Sequence, residues 1–139
     1  MDVIARLRGW ALSRPRILLV DPQGTTTLRW AVEAELDRRA WSRAMSPADT
    51  DLLVVLGVPG PELGAAVDVL WSQVPEPRHR VDVHGPGDVV VALDVGVDAL
   101  VRRAISGVDD DDRPSPASLL GKDDDAGHEG MDHSGGGHE

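Results

Sequence analysis

The chain has 139 residues, with 24 acidic and 14 basic side chains, a formal net charge of −10 and no cysteine. This length suits one small domain. The lack of cysteine excludes disulfides, thiol catalysis and any iron–sulfur cluster held by this chain's own thiolates.

Residues 107–139 hold ten of the acids and two of the bases, so the first 106 residues carry a net charge of only −2. Nucleic-acid binding is therefore not predicted, because it needs a basic face. No apolar run is long enough for a transmembrane helix. Arg6 and Arg8 interrupt the N-terminal apolar residues, so no signal peptide is expected, and a cytoplasmic location is predicted.

Residues 1–13 predict a short amphipathic helix. Its apolar residues have helical spacing: Val3, Ile4, Leu7, Trp10 and Ala11. One interpretation is that this side packs onto the domain. The alternative is a helix that binds a membrane surface or a partner, since Trp10 is accompanied by Arg6, Arg8 and Arg14.

The first two strands are predicted from short apolar runs. Residues 16–20 form the first, and the loop 21–27 leads into a helix that ends near Ser42. Residues 51–57 form the second, which is apolar on both faces, as in a parallel sheet covered by helices. A helix with Pro61 at its first position follows and ends at Pro75.

The remaining elements complete a predicted α/β domain over residues 14–106. Residues 79–83 predict a third strand near an edge, residues 88–93 a fourth strand, and Val97 begins the last helix. Alternating helices and strands predict a three-layer domain with a mostly parallel four-stranded sheet and helices on both faces. Residues 107–139 are predicted to be a disordered acidic tail rich in glycine and histidine, because they cannot form a core.

The step from the third predicted helix into the third strand reads Val74-Pro75-Glu76-Pro77-Arg78. This step and the segment before it, residues 47–83, resemble the B subunit of respiratory complex I and the related small subunits of nickel–iron hydrogenases. In that family a Met-Pro-Glu-Pro-Arg or Lys step joins the same two elements. The triplet Ala-Val-Glu at 31–33 resembles the residues that follow the family's tandem cysteines. The resemblance covers roughly residues 14–106 and is most specific over 51–78.

The resemblance implies a flavodoxin-like domain that carries an iron–sulfur cluster and passes electrons to quinone. Carried over by position, the cluster ligands are lost. Arg29 and Trp30 stand where the tandem cysteines would be, and His84 stands near a third cysteine position. Because a cluster needs soft thiolate ligands, no cofactor is expected on the α/β domain.

The expectation is therefore a cluster-less, non-catalytic subunit or accessory protein of an assembly related to complex I or hydrogenases. Its partner would be related to the large subunit of such an assembly or to a membrane arm. That complex could hold the protein at the inner face of the cell membrane. A small α/β enzyme is a third hypothesis, although the sequence shows no nucleophile–base pair.

Two further candidate sites lie within the α/β segment. The loop 21–27 is either a phosphate-binding loop or an ordinary strand-to-helix loop whose threonines cap the helix. The matching loop after the second strand is 57–60, and ligands often bind at such strand ends. The histidines at 79 and 84, with Asp82 and Asp88, are either a metal site or surface and turn residues.

The tail carries the clearest metal-binding pattern. Three histidines recur every five residues, each beside an acid: His128, His133 and His138 with Glu129, Asp132 and Glu139. Imidazole and carboxylate suit Ni, Cu or Zn, and the entropy lost on ordering predicts weak affinity. The alternative function is thus metal binding or metal delivery, and the simpler interpretation is a solvating low-complexity tail.

Overall fold

The structure, a computed structural model, describes residues 3–111 and the side chains of residues 3–106. Within this range the chain forms four helices and three strands. They are α1 (Val3–Leu12), β1 (Ile17–Val20), α2 (Thr26–Arg39), β2 (Leu52–Leu56), α3 (Pro61–Gln73), β3 (His79–Val83) and α4 (Val89–Asp111). Single 3-10 turns lie at Pro47–Asp49 and Pro86–Asp88.

The three strands form a parallel sheet in the order β1-β2-β3. The register aligns Ile17 with Leu52, and Leu52 with His79. All five residues of the central strand β2 are fully buried, which confirms the prediction that this strand is apolar on both faces. The α/β class and the parallel sheet are therefore confirmed.

An isolated bridge extends the sheet beyond β1. Arg43 pairs in parallel with Ile17, whose N–H donates to the Ser42 carbonyl at 2.9 Å, while the Ala44 N–H donates to the Ile17 carbonyl at 2.8 Å. After α2 the chain thus moves to the outer side of β1 and then returns to β2 on its other side. With right-handed crossovers, this reversal explains why α2 and α3 cover opposite faces of the sheet.

Helices cover both faces of the sheet. On one face, Val32 of α2 and Leu93 of α4 pack in one cluster with Leu52 and Val54. On the other face, Val67 of α3 packs with Leu53 and Val55. The predicted three-layer arrangement is therefore present, with a large core on one side and a smaller one on the other.

The predicted fourth strand at residues 88–93 is wrong, because Val89 begins α4. The run of valines favours a strand locally. The buried residues of this segment, however, recur at helical spacing: Val89, Leu93, Leu100 and Ala104. Burial of that helical stripe decides the conformation, and the helix predicted to start at Val97 starts at Val89.

The N-terminal helix packs on the domain, as the first interpretation held, but not through the predicted apolar stripe. α1 packs on α4 through Gly9 and Leu12, which lie against Val101 and the buried Leu100. The apolar stripe that includes Trp10 faces solvent instead. Gly9 has no side chain and so allows close contact between the helices, and the side of α1 that contains Gly9 faces α4.

The predicted tail lies mostly outside the described residues. α4 continues to Asp111 and therefore crosses the domain boundary predicted after residue 106. The predictions of disorder and of a separate tail segment remain predictions. None of the helices in residues 3–111 is long and apolar enough to cross a membrane.

Candidate strand-end interaction surface

The carboxyl ends of the three strands meet at one edge of the sheet. Gly57, just after β2, has a φ of 65°, which favours glycine, and a Cβ there would lie 3.1 Å from Thr25 Cγ2 in the loop after β1. The Gly57 N–H donates to the Val83 carbonyl at 2.8 Å, at the end of β3. The strand order reverses between β1 and β2, and such a reversal is where open α/β sheets place their ligands.

The loop after β1 folds on its own hydrogen bonds. The Thr25 hydroxyl donates to the Pro22 carbonyl at 2.6 Å and makes no capping bond to α2, contrary to the predicted role of the threonine hydroxyls. Asp21 is the acidic residue of this loop, and its carboxylate would repel a phosphate. The geometry therefore favours an ordinary strand-to-helix loop over a phosphate-binding loop.

Arg29 is held by two carboxylates of the chain itself. Its Nη1 lies 2.7 Å from Asp21 Oδ2, and its Nε lies 2.9 Å from Glu33 Oε1. Hydrogen bonds from Arg29 to Glu33 and then to Asp21 raise the pKa of the guanidinium. Arg43 also contacts Glu33 Oε1, at 2.7 Å, so the group forms a chain of alternating charges.

This arrangement bears on the residue that the family resemblance places at a cluster-ligand position. Arg29 there is a hydrogen-bond donor bound to Asp21 and Glu33. It has no lone pair with which to bind iron. The next residue, Trp30, directs its indole outward and is 66% exposed. The position therefore presents a neutralised cation beside an exposed aromatic ring.

A second exposed apolar side chain follows β2. Val58 is 82% exposed, and the next residues, from Gly60 to Leu63, line an open depression at the start of α3. We call the loops 21–25 and 57–60 the strand-end surface; it carries one exposed apolar side chain, Val58. Trp30 lies on α2, about half a turn from the buried Leu28 and Val32, and so on the side of the helix that faces away from the sheet.

The two histidines for which a metal site and surface or turn roles were both considered lie at opposite ends of β3. His79 begins the strand and His84 follows its last residue. Five steps of extended chain separate them by roughly 16 Å, too far to share an ion. No group of three or more His, Asp or Glu residues in the described part of the chain could hold a metal. The structure therefore favours surface and turn roles for His79, His84, Asp82 and Asp88.

His79 has a different environment from an exposed histidine. It is half-buried at the start of β3, and burial, together with the nearby charge of Arg103, lowers its pKa below the ordinary value of 6.5. Both causes disfavour the charged imidazole.

Arg78 has a structural role that the sequence did not predict. Its guanidinium stacks on the Trp71 ring at 4.3 Å and donates hydrogen bonds to the carbonyls of Trp71 and Val74. Its Nε pairs with Glu76 Oε1 at 3.0 Å. These carbonyls lie at the end of α3, where the helix leaves acceptors without partners. A basic residue just after a helix is the sequence signal for such a contact.

The metal ligands predicted in the tail lie outside the described residues: His128, Glu129, Asp132, His133, His138 and Glu139. Their binding of Ni, Cu or Zn stays a prediction. No family model matches the chain, and no curated protein matches it significantly. What the structure itself shows is a small α/β domain with a three-stranded parallel sheet and an exposed surface at its strand ends.

Proposed function

We propose that the chain is a cluster-less, non-catalytic subunit or accessory protein of an assembly related to complex I and hydrogenases. One observation carries the proposal. At the positions that the resemblance aligns with tandem cysteines, Arg29 is tied to Asp21 and Glu33, and Trp30 is exposed. A surface that holds a cluster in the family is here suited to contact with a protein.

The order of the sheet supports the resemblance to flavodoxin-like domains. If the bridge at Arg43 counts as the second strand in chain order, the sheet has the order 2-1-3-4. Flavodoxin-like sheets have this order and bind their ligands at the reversal. The strand-end surface lies at that reversal.

Two exposed apolar side chains, Trp30 on α2 and Val58 on the strand-end surface, suit a protein partner. Tryptophan is enriched among the residues that dominate binding energy at interfaces. Trp30 and Val58 would contribute apolar area, while Arg29 brings its own counter-ions and so needs none from the partner. The partner proposed is a protein related to the large subunit or the membrane arm, which would hold the chain at the inner face of the cell membrane.

The test is affinity purification of the full chain from its own cells at native abundance, with the bound proteins measured by mass spectrometry. We expect a partner related to the large subunit or the membrane arm. Trp30→Ser should weaken its binding at least about tenfold. Val69→Ser is the matched control, because Val69 is 58% exposed on α3, which covers the opposite face of the sheet from α2. A protein that purifies alone, or a Trp30→Ser variant that keeps its partner, would contradict the proposal.

A second proposal is weak metal binding by the tail, as a metal-binding or metal-delivery protein. The spacing of His128, His133 and His138, each beside an acid, supports it. Calorimetric titration of the full chain with Ni²⁺, Cu²⁺ and Zn²⁺ should show a heat of binding. This heat should be absent when all three histidines are replaced by alanine. Equal heats from the two proteins would end this proposal.

A further inference from the structure

The N-terminal helix α1 has two unlike sides. Its inner side is formed by small or buried residues: a Cβ at Gly9 would lie 3.7 Å from Val101, and Leu12 packs with Leu100 and Ala104. The outer side carries larger apolar groups. Their exposed fractions are 66% for Val3, 60% for Ile4, 60% for Leu7 and 75% for Trp10.

These exposed groups form a continuous stripe along one side of the helix. Val3, Leu7 and Trp10 are separated by three or four residues, and so they project from the same side. A stripe of this kind normally faces the core of a domain. In α1 it lies opposite the side that packs on α4, so the fold itself does not bury it.

Arginines border the stripe. Arg6 and Arg8 precede and follow Leu7, which puts them on opposite flanks of the stripe, and the exposed Arg14 lies just beyond the helix. Residues 3–14 contain no acidic side chain. Among the described residues, none of these three arginines has an ion-pair partner within 4.0 Å.

Glu76, on the loop that faces α1, already has an ion-pair partner. Arg8 and Glu76 line the same groove beside the end of α1, but the Glu76 carboxylate pairs with Arg78 at 3.0 Å. Arg6, Arg8 and Arg14 are all exposed to solvent. This local charge stands out because the chain as a whole carries a net charge of −10.

We propose that α1 binds the surface of an anionic lipid bilayer and lies parallel to it. Val3, Leu7 and Trp10 would enter the boundary between headgroups and acyl chains, and the arginines would contact lipid phosphates. An apolar stripe flanked by arginine, with tryptophan at its border, is the pattern of helices that lie in a membrane interface. Ten residues of helix span about 15 Å, half of a bilayer's hydrocarbon core, so α1 lies on the surface and does not cross it.

Charge complementarity favours lipid over an apolar protein groove as the occupant. Arginines on both flanks of the stripe match a surface that is negative on every side, which an anionic bilayer provides. A single short helix gives reversible binding, and the acidic remainder of the chain opposes it. Binding should therefore be strongest at low ionic strength, where attraction between Arg6, Arg8, Arg14 and the headgroups is least screened.

The test is flotation of the full chain with vesicles of phosphatidylcholine alone and of an equimolar mixture with phosphatidylglycerol. We expect binding to the anionic vesicles at low salt and little binding to the neutral ones. Trp10→Ser and the double variant Arg6→Gln, Arg8→Gln should each reduce the affinity by about tenfold. Val69→Ser is the matched control, since it removes an exposed apolar side chain on α3, outside α1, and should leave binding unchanged.

Because the altered side chains are exposed, far-UV circular dichroism and thermal unfolding should show that the variants stay folded. Bromine-labelled lipids give a second readout, since they should quench the part of the tryptophan fluorescence that comes from Trp10, and this quenching should be lost in Trp10→Ser. Absence of binding to anionic vesicles, or equal binding by Trp10→Ser, would overturn the proposal. A dimer in solution that Trp10→Ser converts to a monomer would also overturn it, by assigning the stripe to a second copy of the chain.

Discussion

Glu35 pairs with two arginines of α2, and one of them, Arg39, reaches Asp94 on α4. The Glu35 carboxylate pairs with Arg38 and with Arg39, whose own guanidinium reaches Asp94 at 2.8 Å and stacks on Trp41. Glu35 and Arg39 are each only 11% exposed. Hydrogen bonds from Arg38 and then Arg39 lower the pKa of Glu35 from 4.5 to about 2.

Replacing Glu35 with glutamine should lower the free energy of unfolding at neutral pH by about 1–3 kcal/mol, because Arg39 loses a charged partner. The folded pKa lies below the unfolded one, so this stabilisation is complete above pH 4.5 and is lost as the pH falls toward about 2. Denaturant unfolding of both proteins across that range should show the difference shrinking. Asp68→Asn is the control, since Asp68 is largely exposed and its pairing distance is 3.6 Å.

The sequence predicts some features of the segment around Arg29 and Trp30 and not others. The lack of cysteine excludes an iron–sulfur cluster held there by the chain's own thiolates. The spacing of Arg29 and Glu33 also permits an ion pair on one helix. The contact of Arg29 with Asp21 depends on the path of the loop between β1 and α2, which local patterns do not determine.

α2 ends just before Ala40, whose backbone adopts a conformation that alanine does not favour. Ala40 caps the helix with a φ of 54°, in the left-handed region, and its N–H donates to carbonyls of the last turn. A side chain there costs about 1 kcal/mol relative to glycine. Ala40 is exposed, so removing its methyl group leaves no cavity.

We expect Ala40→Gly to raise the free energy of unfolding by about 1 kcal/mol. The matched control is Ala34→Gly, an exposed position inside the same helix, where glycine should lower it by about the same amount. Urea denaturation of the two variants measures both changes. If Ala40→Gly is as destabilising as Ala34→Gly, the left-handed cap is not the conformation in solution.

The end of α3 depends on the side chain of Arg78. Replacing it with lysine should cost about 1–2 kcal/mol, because lysine keeps the charge but loses the planar stack on Trp71 and the paired hydrogen bonds to two carbonyls. Arg80→Lys on the next strand is the control, as its pairs with Asp68 and Asp82 are long and exposed. Thermal and urea unfolding should separate the two variants, and equal stabilities would show that Arg78 acts only through its charge.

Elements differ in how well their own residues predict them. β2 is a run of five buried residues, and its pattern has only one interpretation. α4 begins with three valines that favour a strand, and its helical stripe becomes visible only when Leu100 and Ala104 are included. The valines therefore mislead because the helix is stabilised by residues farther along the chain.

At the scale of the whole molecule, the packing of α4 on the sheet depends on Gly96. A Cβ at this position would lie 3.0 Å from Val81 Cγ1 and 3.1 Å from Leu52 Cδ1. Both neighbours belong to the buried core, which leaves little space for adjustment. The glycine thus sets how closely the helix approaches β2 and β3.

Gly96→Ala should lower the free energy of unfolding by about 1–3 kcal/mol, despite the better helix propensity of alanine, because the added methyl group overfills the core. Gly64→Ala is the matched control in α3, where a Cβ would meet nothing within 4 Å, and it should raise stability by about 0.5–1 kcal/mol. Calorimetric unfolding of both variants tests the contrast. A stabilising Gly96→Ala would mean that α4 packs less closely than described.

The arrangement of the sheet is only partly predictable. Alternating patterns predict parallel strands with helices on both faces. They do not predict that the additional sheet contact lies beside β1, since Arg43 belongs to no strand-like run and pairs through only one bridge. That contact depends on where α2 ends, which is a property of the folded molecule.

The contact between Gly9 and Val101 joins the first and last helices of the described chain, and this bears on the order of folding. During synthesis α1 emerges first, yet its binding site on α4 emerges last. Bringing such distant segments together costs loop-closure entropy, which favours formation of the sheet before α1 docks. On the ribosome, both sides of α1 would thus remain exposed to solvent until translation of the domain is almost complete. A nascent chain halted before Leu100 should expose this helix to chaperones or to membrane.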